Sequence, residues 1–259
     1  MSIVGIVCAM KSEASCIMNL RFPLYKMAMP GQNTRLCLCG VGTNMAADAA
    51  SLLHKNGVDA LVSFGVAAAL DPRLTPGDLV LPETILTEDK IGAGVGTEAG
   101  AEAEAEANRL VNQEWRNRIQ RQLSSQLTVV GGTLVTSQVP LTSRQAKLEL
   151  GKATGACAMD MESGDVAEVA AKAGIPFIAI RAIIDPVEFS PPEALLSVVY
   201  PDGSVQLFQF LSLLLNRSVD IKTVFHLALA MQAARTTLLA VVKTLGMGLD
   251  SKLTDRISG

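Results

Sequence analysis

The chain has 259 residues and a formal net charge of −3, with no basic cluster, so it lacks the electrostatic footprint of a nucleic-acid-binding protein. Hydrophobic residues make up 49% and charged residues 18%, which is enough apolar material for a sizeable core in one large domain. Five cysteines, at 8, 16, 37, 39 and 157, follow no disulfide-framework spacing and fit a reducing cytoplasm, while His54 and His226 are isolated, so no metal site, cofactor or His-based triad is expected.

The first apolar run ends at Met10-Lys11-Ser12 without a basic leader or cleavage pattern, and reads as a strand over Ile3–Cys8, not a signal peptide. Further strand-like runs follow at Arg35–Cys39, Ala60–Phe64, Leu79–Leu81, Thr128–Thr136 and Phe177–Ile184. Helical patterns lie between several of them, at Asn44–Lys55, Gln113–Ser124 and Glu162–Ala173. This alternation predicts an α/β fold: a single three-layer α/β/α domain around a mixed, largely parallel sheet. Gly131-Gly132 inside Thr128–Thr136 predicts a bulge or a close backbone approach. Gly92 to Asn108, almost wholly Gly, Ala and Glu, reads as a mobile loop running into a short acidic helix.

Ala158 to Asp185 carries the most chemistry. An apolar run ends on acidic residues, a helix follows with Val166, Val169, Ala170 and Ala173 at helical spacing, and Gly174-Ile-Pro176 breaks it. Phe177 to Ile184 then reads as a buried strand with Asp185 at its C-terminal end, where open α/β sheets place ligands. From spacing alone, Asp185 either serves a site or caps the next element, and Glu162 and Glu13 either serve a site or sit in first helical turns. Arg181 on an apolar strand needs an anionic partner, with Glu13 or Glu162 the natural candidates.

Met159-Asp-Met161-Glu162, with Arg181-Ala-Ile-Ile-Asp185 downstream, resembles the second half of the nucleoside phosphorylase and nucleosidase superfamily. The methylthioadenosine/S-adenosylhomocysteine nucleosidases are the well-known branch it most looks like. Val4 to Glu13 resembles that branch's first strand and following glutamate; Val62 to Leu70, with Leu74 to Val80, resembles its glycine-rich strand end and next strand entry. The resemblance covers residues 3 to 188 and implies a purine-releasing enzyme acting on a small nucleoside. It makes Asp185 the acid that protonates N7 of the purine, kept neutral by burial against Ile183 and Ile184. It makes Glu13 the residue that orients or deprotonates water, with Arg181 beside it in the catalytic set. Glu162 would hold the ribose hydroxyls and bring charge to the sugar, Met161 would pack on the sugar face, and Val41 would line the 5′ pocket. Met10, Val66 and Val139 are carried over as further substrate contacts.

Departures from the pattern shape the expectation. Val66 stands where the nucleosidases carry Ser, Ala68 and Ala69 replace glycines, and Pro140-Leu141 replaces a Phe-Ile pair. The Gly-Asp-Pro-x-Arg phosphate loop of the hexameric phosphorylases is absent after the first strand, which favours water over phosphate. Pro191-Pro-Glu-Ala-Leu-Leu and Tyr200-Pro-Asp-Gly-Ser-Val are similar to the tail of the hopanoid-associated phosphorylase-like proteins, which implies an adenosine with a bulky apolar 5′ group. The expected organisation is a catalytic domain over residues 1–190 and an apolar helical C-terminal extension over 191–259. Val205–Leu215 and Val224–Leu245 are apolar nearly all round and read as core, subunit interface or lipid-facing surface; Asn216-Arg217 and Arg235 argue against a spanning helix. The implied setting is a cytoplasmic homo-oligomer with peripheral contact at the inner membrane. Rival readings are a standard methylthioadenosine/S-adenosylhomocysteine nucleosidase, a phosphate-dependent purine nucleoside phosphorylase, and a non-catalytic nucleoside-binding protein.

Overall fold

The computed structural model describes residues 2–18, 24, 26–87, 110–190, 220–246 and 249; the stretches at 92–108, 191–196 and 200–215 lie outside the described residues. Among the described residues ten strands and six helices follow in chain order: β1 (Val4–Cys8), α1 (Lys11–Ile17), β2 (Met27–Gly31), β3 (Thr34–Leu38), α2 (Thr43–Lys55), β4 (Ala60–Ala69), β5 (Leu79–Val80), β6 (Thr84–Thr87), α3 (Gln113–Leu123), β7 (Val129–Val130), β8 (Thr133–Thr136), α4 (Arg144–Thr154), β9 (Ala158–Asp160), α5 (Ser163–Ala173), β10 (Phe177–Asp185) and α6 (Ile221–Leu245). The main path of the sheet runs β2-β3-β1-β4-β10-β5-β7, with β6, β8 and β9 branching from the far end of β4. Pairing along β3, β1, β4 and β10 is parallel, as the alternation predicts. Their apolar runs are buried because helices cover both faces, α2 and α5 in one group and α1, α3 and α6 in the other.

β4 is the spine of the site. It is twice as long as its apolar core predicts, because the small residues Gly65 to Ala69 extend it far enough for its end to pair with β9 in antiparallel fashion, Ala68 opposite Met159. β10 lies on its other side with Arg181 opposite Gly65, and a register irregularity between Ile183 and Asp185 marks the strand end. Gly174, left-handed at φ 67°, ends α5 and lets Ile175-Pro176 turn directly into β10.

Several elements correct the sequence reading. Thr128–Thr136 is not one bulged strand: positive φ at Gly132 splits it into β7, paired with β5, and β8, paired with β6 and β9. β2 contains Pro30, which an edge strand tolerates because its missing N–H faces no partner. α4 carries too few apolar residues for a periodic signal, yet Ser143 caps its start by accepting from the Ala146 N–H and Gly155 closes it at φ 66°. α6 is long and apolar enough to cross a membrane by length and composition alone, a test that the core helix of a soluble protein also passes. Here its Ala230, Ala234, Leu238 and Val241 pack into the core, against β10 and α1, while Ile221, Phe225, Leu229 and Leu239 remain exposed.

Candidate active site

Arg181 is 1% exposed, so its charge must be met inside the protein. Its Nη2 lies 2.7 Å from Asp160 Oδ2 and 3.6 Å from Glu162 Oε2, and donates to Ser63 Oγ at 2.6 Å and Ser163 Oγ at 3.0 Å. The nearest partner is therefore Asp160, which the sequence reading did not name, while the expected Glu162 pairs with Arg181 at longer range. Asp160 is held in turn by Thr136 Oγ1 at 2.7 Å and by the Ser163 N–H at 3.2 Å. The missed signal is its place at the end of β9, immediately before the Met161-Glu162 turn.

Glu13 reaches the same cluster from α1. Burial here makes its backbone contacts decisive: Oε2 accepts from the N–H groups of Ala9 (3.0 Å) and Met10 (2.8 Å), and Oε1 from that of Val66 (2.9 Å). The bond to Met10 is the helix-start pattern in which the third residue turns back to the N-cap. Burial pushes its pKa up, opposed by the Arg181 guanidinium and those three donors. Glu13 and Arg181 meet over Gly65, where no side chain intervenes.

Glu162 has less support: the Gly42 N–H at 3.2 Å and the more distant Arg181. Burial pushes its pKa up to about 8, with Arg181 lowering it and the neighbouring Asp160 and Glu13 carboxylates adding to the rise. Three buried carboxylates share one guanidinium, which moves the Glu162 pKa up towards and past neutrality. The folded protein holds a proton that the unfolded chain, titrating at about 4.3, releases, so stability is full below that value and declines towards about 8. Glu162→Gln should flatten this slope in thermal melts between about pH 5 and 9; equal slopes in the two proteins would remove Glu162 as the proton holder.

Asp185 stands four residues beyond Arg181 on β10, about 13 Å along an extended strand. Its side chain is 18% exposed and pairs at 2.7 Å with Lys147 Nζ, a residue the sequence reading did not single out because a lysine on a charged helix normally faces solvent. Burial pushes the Asp185 pKa up, and Lys147 pulls it back. Apolar burial by Ile183 and Ile184 is thus only part of its environment.

Met10, Val41, Val66 and Met161 are half-buried; Met161 directly precedes Glu162 and Met10 stands three residues before Glu13. Val41 lies in the turn that supplies the Gly42 donor, and Val66 supplies its own N–H to Glu13. Val139 differs, being 61% exposed on the loop after β8, where Ser137 Oγ donates to its carbonyl. Among the described residues no three His, Cys, Asp or Glu side chains are arranged to hold a metal ion.

A family profile described as the phosphorylase superfamily matches residues 4–198. The chain belongs to that superfamily. Among its relatives is a 5′-methylthioadenosine/S-adenosylhomocysteine nucleosidase of Staphylococcus aureus (strain JH9), 24% identical over 195 residues, 70% of this chain and 86% of the relative. Among solved structures, the nucleosidase of that name from Neisseria meningitidis, in complex with methylthio-immucillin-A, superposes with a TM-score of 0.62 at 19% identity, covering 95% of this chain and 100% of the other. The futalosine hydrolase of Helicobacter pylori strain 26695 superposes at 0.62 with 17% identity, covering 93% and 97%. The superfamily match ends near residue 198, so it includes every residue of the cluster and leaves α6 outside.

Proposed function

We propose that the chain is a nucleosidase that cleaves the N-glycosidic bond of an adenosine-type nucleoside and releases adenine. The observation that carries the reading is the buried set of Glu13, Glu162 and Arg181 on one side and the ion-paired Asp185 farther along β10, a spacing that accommodates sugar and base between them. Asp185, when protonated, gives its proton to N7 while the C1′–N9 bond breaks and its electron pair passes into the purine. Water then bonds to C1′, its proton passing to Glu13, whose Oε1 and Oε2 are already oriented by backbone donors. The turnover closes when Glu13 releases that proton and Asp185 regains one. A neutral Glu162 can accept from one ribose hydroxyl and donate to the other. Arg181 keeps the carboxylate cluster in place, and Met10, Val41, Val66, Met161 and Val139 are the apolar contacts to sugar and 5′ group.

The finer reading is a bulky, hopanoid-type 5′ substituent, supported by the tail resemblance, by Val66 in place of a polar residue, and by the exposed Ile221, Phe225, Leu229 and Leu239 of α6. In that reading residues 191–259 form an apolar extension on a catalytic domain of residues 1–190, and the α6 face meets a second copy or the cytoplasmic membrane surface. A methylthioadenosine/S-adenosylhomocysteine nucleosidase is the second reading, favoured by the named relatives.

The test is adenine release from adenosine, 5′-methylthioadenosine, S-adenosylhomocysteine and 5′-alkyl adenosines of increasing chain length, with and without phosphate. Turnover in phosphate-free buffer to free sugar is expected, with the long-chain compounds cleaved at least as fast as 5′-methylthioadenosine. Strict phosphate dependence with a sugar 1-phosphate product overturns hydrolysis, and tight adenine binding without turnover overturns the enzyme.

A further inference from the structure

Lys147 is a lysine with 0% side-chain exposure, and the fold spends three acceptors on it. Its Nζ donates to Asp185 Oδ1 at 2.7 Å, to the Pro186 carbonyl at 3.0 Å and to the Phe189 carbonyl at 2.8 Å. One ammonium has three donors, so these contacts saturate it. The same end of α4 grips the segment twice more. Arg144 pairs with Glu188 at 2.6 Å, and its N–H donates to Ser190 Oγ at 3.3 Å. On the far side the Phe189 ring stacks on His226 of α6, centroids 5.5 Å apart. A segment held only for its own stability needs no buried cation; the Arg144 and Phe189 contacts at the rim already tie it down. The buried charge is directed at Asp185.

We propose that Lys147 is the positioning residue for Asp185, fixing Oδ1 and the loop behind it so that Oδ2 is presented to the purine. The inference rests on the assignment of Asp185 as the acid. Lys147 acts through that carboxyl and touches no substrate. Other charged groups around the segment compete little with it. Arg144 and Glu188 satisfy each other, Asp71 is paired with Arg73 beyond β4, Asp78 accepts from Thr75, and His226 faces the Phe189 ring. Lys147 also holds the Asp185 pKa below the level that burial alone would set. Its removal therefore raises that pKa and extends the protonated, acid-competent form to higher pH, by about one unit for a close opposite charge.

The experiment measures kcat against pH for wild type, Lys147→Met, Lys147→Arg, Asp185→Asn and the double variant Lys147→Met with Asp185→Asn, using the fastest-cleaved nucleoside of the panel. Lys147→Met should lose at least about tenfold in kcat through misplacement of the acid and move the alkaline limb up by about one pH unit. Lys147→Arg, which keeps the cation, should leave the limb where it is. The double variant should be no slower than Asp185→Asn alone. If Lys147→Met does not fold, Lys147→Gln, which can still donate to the two carbonyls, reads the same limb. A native limb in the uncharged variant, or a further tenfold loss in the double variant, overturns the proposal. Asp185→Asn separates the two claims. Normal turnover there removes the acid itself, whereas an inactive Asp185→Asn beside a Lys147→Met with the native profile removes Lys147 alone.

Discussion

Asp185→Asn should lower kcat by at least about 10²-fold while leaving the fold in place. The substitution keeps the size of the side chain and an oxygen that can accept from Lys147, and Lys147 retains the carbonyls of Pro186 and Phe189. What disappears is the one proton that can neutralise the departing base. Burial holds the Asp185 pKa above the ordinary carboxylate value, so in the native protein activity should fall as pH rises through that pKa and the acid form is lost. In the variant this limb should vanish with the rate. Circular dichroism and a steady-state assay on the same preparation suffice. Near-normal turnover would take Asp185 out of the mechanism.

Gly65→Ala should be the most damaging change of a single methyl group anywhere in the site. A Cβ on Gly65 would overlap Glu13 Oε1 and lie 2.5 Å from Arg181 Nη1 and 2.6 Å from Glu13 Cδ, separations that real atoms do not tolerate. Neither neighbour is free to yield. Glu13 Oε1 accepts from the Val66 N–H at 2.9 Å, and Arg181 is pinned by Asp160, Ser63 and Ser163. Moving either leaves a buried charge short of partners, so stability should fall by about 2–4 kcal/mol, combining overpacking with a strained ion cluster. Activity should fall by at least about 10²-fold, because the group meant to receive the proton of water is displaced. Urea denaturation and adenine release measure the two effects separately. A Gly65→Ala protein with native stability and rate would mean that Glu13 and Arg181 do not meet over this residue.

Much of this architecture is legible in one dimension because its cause is local. The runs in β1, β4 and β10 are apolar on consecutive residues, which only a strand covered on both faces requires, and the amphipathic stretch before Gly174 ends where a left-handed glycine ends it. Arg181 within such a run announces a buried anion. Glu13, Glu162 and Asp185 were visible as candidates because each follows a strand-like run and matches a motif.

The remainder depends on which distant residues the sheet brings together. Within the chain itself, composition and periodicity determine a largely parallel α/β domain, its central strands, and the need for carboxylates around Arg181. Only the tertiary structure decided that the close carboxylate is Asp160, that Glu13 is held by Val66, 53 positions away, and that Lys147 turns inward to Asp185 across 38 positions. The reason is physical. Burial and ion pairing are properties of a three-dimensional neighbourhood, and a lysine on a charged helix or a glycine in a strand looks the same in sequence whether solvent or a carboxylate lies beside it.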